Sequence, residues 1–143
     1  MPLTTTMRDL FAKFTTTEDS TSERFGTTGA YLRVGSSTAS FNSNQNEMQT
    51  TSTGSTGLNQ WIRAMDAGFP KRNSGESTAV NILAYKATFT TSEANHDWNE
   101  IGVKNTTASA TGTGALMNRL LSTMGTKQNT QSWAVTLLNT ITT

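Results

Sequence analysis

The stretch Asn81-Ile82-Leu83-Ala84-Tyr85-Lys86-Ala87-Thr88-Phe89-Thr90 decides the fold class. Leu83, Tyr85, Ala87 and Phe89 occupy alternate positions, with Ala84, Lys86 and Thr88 between them. Successive side chains of a strand point to opposite faces, so this period of two describes a strand with one face toward a core. Downstream, Asn99, Ile101 and Val103 oppose Trp98 and Glu100 in a second strand. Residues 106–114 are Thr, Ala, Ser and Gly only and read as a loop, and residues 116–121 continue the sheet. Gly125-Thr126-Lys127 turns the chain. Residues 133–141 then place Trp133, Val135, Leu137 and Ile141 on one face of a last strand.

Upstream, residues 58–69 fit two periods. Leu58, Trp61, Ile62 and Met65 have helical spacing, whereas Trp61, Arg63, Met65, Ala67 and Phe69 alternate. The stop at Gly68-Phe69-Pro70 and the strong strand that follows favour a strand, with residues 71–78 as the loop of a wide hairpin. Ala30, Leu32 and Val34 alternate with Tyr31 and Arg33 in a first strand ended by Gly35. Residues 41–48 suit a single helical turn, and residues 50–57 a loop. Strands about ten residues apart with turn signals between them predict an all-β fold. The expected architecture is a β-sandwich, jelly-roll or immunoglobulin-like, over residues 26–143, with Trp61, Phe89, Trp98 and Trp133 in its core.

Residues 1–25 are expected to form an extended N-terminal arm with a short amphipathic segment. Met7, Leu10, Phe11 and Phe14 fall at helical spacing behind Thr6 as N-cap, and are the candidate anchors for a partner.

Composition points the same way. Thr, Ser and Asn exceed a third of the 143 residues, and Thr alone is about one in five. Thr is β-branched and stiff at χ1, which favours extended backbone. The hydrophobic share is only 34%, but three Trp and six Phe each bury a large area. The net charge of +1, with both signs interspersed, gives no basic stripe for nucleic acid. No apolar run has the length of a membrane helix, and the first residues lack the pattern of a signal peptide. With no Cys, neither disulfides nor a thiolate zinc site can be expected.

Groups able to carry chemistry are few. Glu93, His96, Asp97 and Glu100 are the one titratable cluster, and a metal would need His96 with two of the carboxylates. The alternative is a tight turn capped by Ser92 and Asn95, with the acids facing water. No G-x-S-x-G turn accompanies the single His, and Gly125-Thr126-Lys127 lacks the spaced glycine of a phosphate loop. Asn105-Thr106-Thr107 matches a glycosylation sequon by chance in so Thr-rich a chain. Trp61, Trp98 and Trp133 could form a ligand platform, with a Glu one for carbohydrate, although core positions suit them better. The expectation is a protein without catalysis and without cofactor.

A family resemblance extends this reading. Residues 87–95, Trp98-Asn99-Glu100-Ile101-Gly102-Val103, Gly114-Ala115-Leu116-Met117-Asn118-Arg119, Gly125-Thr126-Lys127 and Ser132-Trp133-Ala134-Val135-Thr136-Leu137 occur in this order. Together with Tyr31-Leu32-Arg33-Val34-Gly35 and residues 64–70, they resemble a group of small structural proteins of tailed bacteriophages. The Trp98–Val103 segment is also similar to a strand of tail-collar and tail-fibre modules. The resemblance covers residues 29–142 and implies a virion component with a β-sandwich fold. The expected function is that of a capsid decoration (cement) protein on the outside of the major capsid protein shell, assembled in the host cytoplasm. A tail fibre, collar or baseplate adaptor is the alternative, and a carbohydrate-binding domain a third reading. Self-association as a dimer or trimer is expected, with no nucleic acid and no membrane as partner.

Overall fold

The computed structural model describes residues 25, 29–45, 47–48, 59–72, 82–105 and 114–140. Met7, Leu10, Phe11 and Phe14, the loop expected at residues 50–57, and all but Gly114 of the loop expected at residues 106–114 lie outside the described residues. Seven strands are described: β1 (Tyr31–Gly35), β2 (Gln60–Ala64), β3 (Lys71–Arg72), β4 (Ile82–Phe89), β5 (Asp97–Lys104), β6 (Leu116–Thr126) and β7 (Trp133–Thr140). They form two antiparallel sheets, ordered β2-β1-β5-β6 and β3-β4-β7. The described residues form an all-β sandwich with no helix, and Asn42 to Gln45 form a turn where a helical turn was expected within residues 41–48.

The core lies between the sheets. Leu32 and Val34 of β1, Trp98, Ile101 and Val103 of β5, and Met117 of β6 meet Tyr85, Ala87 and Phe89 of β4 and Leu137 of β7. Trp98 is its centre. Its ring packs edge-on against Phe89 at 4.8 Å and Trp133 at 5.0 Å, and its indole N–H donates to the Ala94 carbonyl at 2.9 Å. The indole thus buries its apolar area without stranding its one donor.

Three expectations need correction. Trp61 is not a core residue: it is 40% exposed. It shares a face with its cross-strand partner Val34, but β2 is the outermost strand and the facing three-stranded sheet covers it incompletely. Trp98 does not oppose Ile101 and Val103. A register shift against β6 between Trp98 and Glu100 turns the indole onto the same core side. Finally, residues 58–69 do not pair with β4 in a wide hairpin. β2 pairs with β1 in the other sheet, and the chain then crosses over so that β3 pairs with β4. Asp66 fastens the crossing. Its amide donates to the Lys86 carbonyl at 2.8 Å, and its carboxylate accepts from the Thr88 amide at 2.9 Å and hydroxyl at 2.7 Å. Gly68, at φ +82°, allows the turn closed by the Phe69 amide on the Asp66 carbonyl.

Candidate functional site

The outer face of the four-stranded sheet is not left to water. The described residues 36–45 and 47–48 cross it, and the covered face carries charge. Arg33 of β1, Glu100 and Lys104 of β5 and Arg119 of β6 are all at most 1% exposed. Glu47 reaches down from the crossing segment between two of them. Arg33 Nη1 lies 3.4 Å from Glu47 Oε2, and Lys104 Nζ is paired with Glu47 Oε1. Arg119 Nε donates to Glu100 Oε2 at 2.5 Å, and its Nη1 to the Ser40 carbonyl at 3.3 Å. Burial and then the Arg33 charge pull the Lys104 ammonium down to about 8, and burial lowers the Arg33 guanidinium to about 10.

Met48 closes the layer over Gly102. A Cβ at Gly102 would lie 2.5 Å from the Asn118 carbonyl oxygen and 3.0 Å from Met48 Sδ. Glycine here is a condition of close approach between β5, β6 and the covering segment. The weakened basicity of Lys104 is that of a nucleophilic amine. Its side chain is 0% exposed and held by Glu47, however, so no substrate can approach it. The cluster acts as an internal staple that fixes Ser40 and Glu47 of the covering segment to the sheet.

The titratable group named from the sequence disperses. Glu93 Oε1 pairs with Arg63 at 2.6 Å, and Glu93 Oε2 accepts from the Thr90 amide at 2.8 Å. That backbone hydrogen bond is the main reason its carboxyl sits below the usual range. His96 Nδ1 contacts the Asp97 carbonyl at 2.9 Å, Asp97 takes the Thr126 hydroxyl, and Glu100 turns inward to Arg119. These residues form no shared metal-ligand set, and no such group occurs among the described residues. The turn is capped by Thr90, Glu93 and Asn95, whose side-chain amide donates to the Thr91 carbonyl at 2.8 Å. Of the three tryptophans considered for a ligand platform, Trp98 is buried, Trp133 is half-buried against it and Trp61 is exposed.

The accessible surface among the described residues includes apolar patches beside charged groups such as Lys71 and Asp97. Trp61, Leu120 and Leu138 are exposed large hydrophobic side chains, at 40%, 37% and 45%. A cleft of about 230 Å³ at the β5–β6 irregularity is lined by Thr38, Asn99, Leu121, Ser122 and Thr123. On the outside of the other sheet, the Phe69 ring lies under the Lys71 and Lys86 ammonium groups, at 4.8 and 5.8 Å. The buried staple was not legible in the sequence. Its cations look like ordinary strand-surface residues until the covering segment is known, and Glu47 lies in a stretch without periodicity. No protein family, curated protein or solved structure matches the chain.

Proposed function

We propose that the chain is a binding component of a tailed-bacteriophage virion, a decoration protein that lies on the outer surface of the major capsid protein shell and strengthens it without catalysis. The resemblance of residues 29–142 motivates the reading. The observation that carries it is how the described charges are used. Arg33, Glu47, Glu100, Lys104 and Arg119 are spent inside, on the staple, while Trp61, Leu120 and Leu138 face outward on the two-sheet block. Such a block offers rigid contact area, and each Å² of apolar surface it covers contributes about 25 cal/mol before the cost of ordering the partners. The anchors on the arm would be Met7, Leu10, Phe11 and Phe14, and the protein would act as a dimer or trimer. The seven described strands, divided four and three, resemble the make-up of a constant-type immunoglobulin sandwich with a strand order of this chain's own, which favours the immunoglobulin-like variant over the jelly roll.

Deleting residues 1–14 tests the reading. Binding to empty capsids should be lost while the circular-dichroism spectrum keeps its β character; unchanged occupancy would count against it. The tail-adaptor reading draws on the position of the Trp98–Val103 segment, which forms an inner strand of the larger sheet. It predicts that the protein copurifies with tails and not with heads.

A further inference from the structure

Each sheet has two outer strands, and an open strand edge is a template for another strand unless something blunts it. Three of the four are blunted. β2 is five residues long and ties Arg63 to Glu93. β3 is two residues long, and both are basic. β6 is long, but two register shifts against β5 bend it. β7 has none of these devices. It pairs with β4 without a break from Phe89↔Trp133 to Ile82↔Thr140, and it contains no proline. No charged side chain occurs from Gln128 to Thr143. Its other edge has no neighbouring strand among the described residues. Ala134, Thr136, Leu138 and Thr140 are exposed along it.

We propose that this edge is where two copies of the chain meet: their β7 strands pair antiparallel about a two-fold axis and join the two three-stranded sheets into one. Charge selects a second copy as the occupant. The residue on a two-fold axis faces its own equivalent, so a charge there would meet a like charge. β7 carries none, and its Thr side chains can pair across the axis. Leu138, 45% exposed, lies in the outward row that the other copy would extend. The inference deepens the self-association within the proposed function and rests on that reading for nothing else.

The chain has no Cys, so single cysteines report contacts cleanly. Ala134→Cys, Thr136→Cys, Leu138→Cys and Thr140→Cys, each in the full chain, are oxidised beside Thr123→Cys on the β6 edge. Opposed Cα atoms of an antiparallel pair are about 4.5–5.5 Å apart, within disulfide reach. A covalent dimer is expected at the one β7 position that lies on the axis and not at Thr123→Cys. Sedimentation equilibrium should give a dimer for the parent chain, and Thr136→Lys should weaken it by about tenfold or more with an unchanged circular-dichroism spectrum. A parent chain that stays monomeric would overturn the proposal. So would equal cross-linking at Thr123→Cys, or a dimer that forms only after residues 1–24 are deleted, since those residues would then be the occupant of the edge. Capsid binding is scored separately on Thr136→Lys. Binding retained by a monomer separates the two ideas, as does a β7 dimer that ignores capsids.

Discussion

Gly102 shows how one residue can fix a layer. The space for its Cβ is taken by the Asn118 backbone oxygen at 2.5 Å, an atom that cannot rotate away. Gly102→Ala should therefore destabilise the fold by about 1–3 kcal/mol, read from urea denaturation. At Lys104 the consequence is a pH dependence. Its folded pKa of about 8 lies below the ordinary 10.5, so between those values the unfolded chain binds more protons than the folded one. Stability then rises with pH across that window, by up to about 3 kcal/mol. The buried Tyr85 hydroxyl has its pKa raised, so ionisation of the unfolded chain near pH 10 acts against further gain. Urea midpoints from about pH 7.5 to 10 should climb for the parent chain and flatten for Lys104→Met. A parent profile that falls through this range would contradict the buried ammonium.

Among the elements, β5 joins both layers. One side holds Trp98, Ile101 and Val103 in the core, and the other holds Glu100 and Lys104 in the staple. Glu100→Gln should cost about 3–5 kcal/mol by leaving the Arg119 cation buried without its countercharge, and replacing both by Met should recover most of the loss. Chemical denaturation of Glu100→Gln and of the Glu100→Met/Arg119→Met double variant measures this difference. On the core side, Trp98→Ala should cost about 3–5 kcal/mol. Trp61→Ala should cost less than about 1 kcal/mol, because its ring already faces water. These contrasts mark what sequence can and cannot reveal. The alternation of Leu83, Tyr85, Ala87 and Phe89 made β4 legible, because both its neighbours pair with it in unbroken register. The faces of β5 were not legible, because the shift after Trp98 inverts the period, and a bulge leaves no mark in residue type. Pairing of β2 with β1 was equally hidden, since local pattern says that a strand exists and not which sheet takes it. The staple depended on contacts such as Arg33 to Glu47, which no periodicity encodes.

For the whole molecule, the sandwich divides its surface by role. Its larger sheet is sealed by a charged layer, its smaller sheet ends in an uncharged edge, and apolar side chains stand out on both. This division suits a part that is built into an assembly, and the proposed assembly is a phage shell. Quantifying this chain against the major capsid protein on a gel of purified particles tests that claim most directly. The account predicts a band in fixed proportion to the capsid protein that is lost when residues 1–14 are removed. Absence of the chain from mature particles, or its presence only in separated tails, would contradict it.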